Sequence, residues 1–143
     1  MTVAIRDARA EDAGALAALI GQLGYQTTQE AVSKRLASLR ASDADRLVVA
    51  ELNGHVVGLA GLHVSLSIEY DEPAAKLSAI VVDERYRRQG VGEALIAEVE
   101  AEARRRGCCL IFLTTAERRK DARAFYRRIG FEETGRRFAK SLD

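Results

Sequence analysis

The chain has 143 residues, is 48% hydrophobic, holds one proline and carries a net charge of +1. That length suits one domain, 1–143, with a core of ordinary size, and the composition argues against long linkers. No apolar run approaches the roughly 20 residues of a membrane span. The start M-T-V-A-I-R-D lacks a signal peptide's hydrophobic stretch, and the only cysteines, Cys108 and Cys109, are adjacent, which suits neither a disulfide framework nor a metal site. A cytoplasmic protein with no metal and no membrane partner is the expectation.

Residues 2–7 read as a first strand. Residues 10–23 carry Leu16, Leu19, Ile20 and Leu23 at helical spacing. Thr27 or Thr28 can cap a second helix, with Val32, Leu36 and Leu39 on one face. Two strands then flank Asn53-Gly54, a pair that supplies the positive φ angles of a tight hairpin turn. A fourth strand is expected over 76–83, after the acidic turn E-Y-D-E-P. A long helix over 90–106 follows, with Gly92, Leu95, Ile96, Val99 and Ala103 on its buried stripe and Gly107 at its end. C-C-L-I-F-L-T reads as a buried strand, 121–129 as a short helix ended by Gly130, and Phe131 onward as one or two final strands. The class is α/β, a mixed and mostly antiparallel twisted sheet flanked by helices, in the order β-α-α-β-β-β-α-β-α-β-β.

Charge is uneven along the chain: 7 basic against 11 acidic residues up to position 83, then 15 against 10. Solvated helix faces account for this as readily as a polyanion-binding region does. Nucleic acid is the weaker partner, because the overall charge is nearly balanced and aromatics are only 6%.

The junction of the fourth strand and the long helix reads D-E-R-Y-R-R-Q-G-V-G-E-A. A helix N-terminus presents unpaired N–H groups and a partial positive charge. Glycine there lets an anion approach the backbone, and arginines add charge around it. A pyrophosphate cradle explains both features; a solvated arginine turn with packing glycines also does. The spacing is neither a Walker loop nor G-x-G-x-x-G.

Arg87-Arg88-Gln89-Gly90-Val91-Gly92, preceded by I-V-V-D-E, resembles the acetyl-CoA motif Arg/Gln-x-x-Gly-x-Gly/Ala of the GNAT superfamily of N-acetyltransferases. A-R-A-F-Y-R-R-I-G-F resembles that family's second signature, and the C-terminal stretches resemble its small-molecule and aminoglycoside branch. The resemblance implies acetyl-CoA as co-substrate, an amine as acceptor, direct transfer in a ternary complex, and admits a homodimer. It assigns Arg87, Arg88, Gln89, Gly90, Val91 and Gly92 to the pyrophosphate, mainly through backbone N–H groups, and Ile80, Val81 and Val82 to the pantetheine arm. Tyr126 matches the family's general acid toward the departing thiolate, although Phe125-Tyr126 also reads as packing of a short helix. Where the family often has asparagine, this chain has Arg119, which either reaches a CoA phosphate or leaves the arm contact unmade. No carboxylate lies on the fourth strand to serve as base. Glu69, Asp71 and Glu72 precede it and His63 lies on the strand before; the three acids can draw a cationic amine, or be solvated turn residues. A non-catalytic acyl-CoA sensor is the alternative reading, and an RNA-binding module a more distant one.

Overall fold

A computed structural model describes residues 2–115 and 120–142. Within them β1 (Ala4–Asp7), β2 (Asp45–Leu52), β3 (His55–Ser65), β4 (Ala74–Val82) and β5 (Leu110–Phe112) form one sheet in the order β1-β2-β3-β4-β5. The first four are antiparallel to their neighbours, and β5 is parallel to β4. Helices α1 (Ala13–Leu23), α2 (Gln29–Ala41), α3 (Val91–Arg105) and α4 (Lys120–Arg128) connect them.

The β2 stretch R-L-V-V-A-E-L is nearly continuous in apolar residues because both faces of the sheet are covered. Val48, Ala50, Ala60, Leu62 and Leu77 pack with Leu95, Ile96 and Val99 of α3 and Tyr126 of α4. Val49, Leu59 and Val81 pack on the other face with Leu16 and Leu19 of α1 and Val32 and Leu36 of α2. Thr28 caps α2, its hydroxyl accepting from the Ala31 N–H at 3.1 Å. Asn53 and Gly54 both take positive φ, 51° and 80°, as the hairpin between β2 and β3 requires.

The element order agrees with expectation through α4, and four details differ. The first helix begins with a 3-10 turn at Ala10–Asp12, and β4 starts two residues earlier than expected. The stretch from Cys108 forms only a three-residue strand, half-exposed rather than buried, with Leu110 43% and Phe112 38% accessible. Finally, 131–142 form no strand among the described residues. The last two differences go together: among the described residues β5 is the edge of the sheet, and 131–142 do not pair with it.

Gly58 sets the depth at which α3 packs. A Cβ there would lie 3.0 Å from Leu95 Cδ1, 3.2 Å from Val91 Cγ1 and 3.4 Å from the Val81 carbonyl oxygen. Both side chains are fully buried and have nowhere to retreat. Gly58→Val is therefore expected to destabilise the protein by about 1–3 kcal/mol through overpacking, measured as a lowered denaturation midpoint with unchanged slope. A variant as stable as the parent would refute the close approach of α3.

Candidate active site

β4 keeps β3 along its length but keeps β5 for only three residues: Ala74 pairs with Leu110, Ala75 with Ile111 and Lys76 with Phe112. Beyond that point the two strands part, and 77–82 have no β5 neighbour. Ile80, Val81 and Val82 therefore lie along an open strand edge; the Val82 carbonyl there accepts from the Arg87 guanidinium, and the remaining outward backbone groups are available to an extended ligand.

The open edge leads straight into the arginine turn. The Asp83 N–H donates to the Val57 carbonyl at 2.8 Å. Val57 is the extra residue of a β-bulge in β3, between the pairs Ala50–Gly58 and Glu51–Val56. Asp83 is buried, and its carboxylate accepts from the Arg85 backbone N–H at 3.0 Å and from the Arg85 guanidinium at 2.9 and 3.2 Å. From the α1 side, the Gln22 side chain accepts from the Glu84 N–H at 3.0 Å.

Arg88 and Gly90 take φ of 63° and 83°, and Gly90 caps α3. The first amide bonded within the helix is that of Ala94, which donates to Gly90, so the amides of Val91, Gly92 and Glu93 point out from the helix start. The three arginines are not equivalent. Arg85 is committed to Asp83, and Arg87 donates to the Val82 carbonyl at 3.1 Å. Arg88 forms no ion pair among the described residues and remains the uncommitted cation of the turn. The two glycines also differ. Nothing stands within 4 Å of a Cβ at Gly90, whereas one at Gly92 would meet the Phe125 ring at 3.3 Å. Gly90 supplies backbone conformation and clearance; Gly92 lets α4 pack on α3.

Tyr126 is buried, in edge contact with Phe125 and Phe131 at centroid distances of 5.5 and 5.8 Å. It is part of the core that joins α4 to the sheet. Glu69, Asp71 and Glu72 are exposed on the turn before β4. The turn and the helix start lie at opposite ends of β4, nine residues or about 26 Å of strand apart, so the fold does not bring the acids to the arginine turn. Arg119 lies outside the described residues. A cleft of about 250 Å³ beside the turn is lined by Ala15, Val57, Asp83, Arg85 and neighbours, but by nothing from β5, α3 or α4.

Two features are absent from the sequence reading. Ser78 is the extra residue of a second bulge, between the pairs Gly61–Ala79 and Leu62–Leu77, and its hydroxyl would stand 2.7 Å from a Cβ at Gly61. The signal was Gly58 and Gly61 inside a buried strand, where glycine marks bulges and close approach. His63 Nδ1 lies 2.9 Å from Asp45 Oδ1, and Asp45 also accepts from the Ser42 hydroxyl at 2.7 Å. His63 pairs with Lys76, the last β4 residue that β5 holds, so the pair stands level with the inner end of the opening.

The donors and the space fit a phosphate-bearing, amide-bearing extended ligand. They comprise a free strand edge, outward N–H groups at α3 and an uncommitted Arg88. The acetyltransferase (GNAT) family model matches residues 8–131. An aminoalkylphosphonate N-acetyltransferase of Salmonella typhimurium strain LT2 is 33% identical over 96% of this chain and 90% of its own. The chain belongs to the GNAT acetyltransferase family and is an acyltransferase. Two solved structures share its fold. A transcriptional regulator from Bacillus halodurans C-125 superposes with a TM-score of 0.90 at 23% identity, over 99% of this chain and 100% of that one. The aminoglycoside N-acetyltransferase AAC(6')-Iy in complex with CoA does so with 0.87 at 23% identity, over 99% and 96%. A non-catalytic sensor is not favoured by relatives named as enzymes. Among the described residues no helix is long and apolar enough to cross a membrane, and no cluster of ligands could hold a metal.

Arg85 and its backbone N–H hold the Asp83 carboxyl down to about 2. A folded value depressed below the unfolded ~3.9 means its stabilisation is complete above the unfolded value and is lost as pH falls through the folded one. Asp83→Asn should lower the melting temperature at neutral pH, and the gap to the parent should close as pH drops from about 4 toward 2. A gap that persists unchanged at the acid end would show that the ion pair does not hold the turn.

Proposed function

We propose that this protein transfers an acetyl group from acetyl-CoA directly to a primary amine of a small molecule or peptide, in a ternary complex and in the cytoplasm. The observation that carries the reading is the continuous path from the free 80–82 strand edge to the α3 N-terminus. In it the amides of 80–82 pair with the pantetheine arm as an added strand, and those of Val91 and Gly92, with Arg88, meet the pyrophosphate. The rest of 87–92 shapes the turn, and Arg119 remains a candidate for a CoA phosphate.

In the transfer the amine nitrogen forms the new C–N bond as the C–S bond breaks; the sulfur needs a proton and the amine must lose one. Tyr126 is the proposed donor to the thiolate, a phenol able to give up its proton as that charge develops. His63, oriented by Asp45, is the proposed proton acceptor, and Glu69, Asp71 and Glu72 act at most at long range on a cationic acceptor. Likeness to an aminoalkylphosphonate N-acetyltransferase favours a small amine over a protein N-terminus.

Excess acetyl-CoA is expected to raise the melting temperature in moderate salt, a ligand at about 100 times its dissociation constant contributing about 2.7 kcal/mol. Gly90→Val should abolish that shift, because a β-branched side chain resists φ of 83° and would occupy the phosphate's approach. No shift in the parent protein would remove acetyl-CoA from the proposal. In an amine-panel assay Tyr126→Phe and His63→Gln should each lower kcat by about tenfold or more while the acetyl-CoA shift is kept. An unchanged rate in either variant removes that residue from proton transfer.

A further inference from the structure

A row of side chains at the inner end of the opening has no part in binding the donor. Strand register sets His63 of β3, Lys76 of β4 and Phe112 of β5 side by side across the sheet. Directly paired residues project from the same face. Ala75 and Leu77, on either side of Lys76, pack in the core that holds α3, so the row faces the side on which α1 and α2 lie.

Lys76 is half-buried and forms no ion pair or hydrogen bond among the described residues. Asp45, the carboxylate level with it, is used on both oxygens. Oδ1 faces His63 Nδ1 at 2.9 Å, and Oδ2 accepts from the Ser42 hydroxyl at 2.7 Å. Glu69, Asp71 and Glu72 ride on a turn that the Cys109 N–H, donating to the Pro73 carbonyl at 3.0 Å, ties to the start of β5, and none of them pairs with Lys76. Partial burial makes an ammonium without a carboxylate a place for an anion.

The bulged Ser78 adds a second donor on the same face. Its hydroxyl would stand 2.7 Å from a Cβ at Gly61, which would also meet Leu47 Cδ1 at 3.3 Å, and Leu47 packs with the α1 and α2 cluster. The missing side chain at Gly61 gives that hydroxyl its place over β3. Ser78 is exposed and its hydroxyl forms no hydrogen bond among the described residues.

We propose that the acceptor is an amine bearing an anionic group, a carboxylate or a phosphonate, and that Lys76 and the Ser78 hydroxyl hold that group. The assignment rests on acetyl transfer along the free edge, as proposed above. A donor arm laid along 82 to 80 ends where β5 closes the edge, beside Ser78 and Lys76. An acceptor carrying only an ammonium is repelled by Lys76; an anion on the same molecule reverses the sign of that encounter. Anchoring the anion also orients the amine toward the thioester and His63, with Phe112 as an apolar wall for the carbons between.

The test compares the parent protein and Lys76→Gln on γ-aminobutyrate, aminopropylphosphonate, butylamine and diaminobutane. By kcat/KM the parent should prefer one or both anionic amines to butylamine and should discriminate against diaminobutane. Lys76→Gln should lower that preference by about ten- to hundredfold, chiefly through KM, as loss of a charged hydrogen bond does. Lys76→Arg should restore most of it, Ser78→Ala should lower it by less, and Lys76→Glu should turn it toward diaminobutane. A retained melting shift with acetyl-CoA shows that fold and donor site are intact in each variant. Titration calorimetry of the two anionic amines into the CoA-loaded protein reads the site without turnover. Binding that depends on Lys76, with no transfer to any amine, would sink the acetyl-transfer reading and keep the anion site. Transfer to butylamine or diaminobutane as readily as to the anionic amines would do the reverse. A preference for anionic amines that survives Lys76→Gln overturns the assignment, as does a protein that neither binds nor acetylates either of them.

Discussion

The separation of β4 from β5 after Lys76 and Phe112 is the constraint on which the rest of the structure depends. A strand inside a sheet has both edges consumed; β4 has one edge consumed throughout and the other released after three residues. That release creates a polar, directional surface inside an otherwise apolar α/β core without leaving the backbone strained. It also aims the end of β4 at the start of α3, so the free edge and the helix amides form one path. An extended molecule with amides along its middle and phosphates at its end is what such a path can hold.

Holding the path in place takes more contacts than lining it. The bulged Val57 captures the Asp83 amide, Asp83 captures Arg85, and Gln22 of α1 fixes the amide of Glu84. The most buried charge of the turn is therefore spent on structure, and Arg85 with it. What is left facing outward is the row of α3 amides, clearance at Gly90 and the guanidinium of Arg88. Gly92, which a motif would assign wholly to the ligand, is where α4 gains its approach to α3 through Phe125. Tyr126 has the same double character, a core residue by burial and the proposed acid by chemistry.

At the other end of β4 the structure rearranges the meaning of two stretches. The acidic turn, which immediately precedes β4 in sequence, is carried a full strand length from the helix start and set beside β5. The edge position of β5 leaves its apolar residues half-bare, and the chain's last eleven described residues are bare as well.

Much of this was legible in the residues. Helical spacing in 10–23 and 90–106, the Asn53-Gly54 turn and the strand periodicities are local properties, set by backbone sterics and by which side chains repeat on one face. The R-R-Q-G-V-G stretch was legible for the same reason: its glycines, its charge and its place before a helix are local. Pairing was not. Which residue of β4 loses β5, that Val57 and Ser78 bulge, that His63 meets Asp45 eighteen positions away, and that Arg85 belongs to Asp83 rather than to a ligand all depend on register between strands distant in sequence. The final strands fail for the same physical reason. An apolar, extended stretch encodes a readiness to pair, but a strand exists only when an edge meets it, and that is decided by the tertiary arrangement.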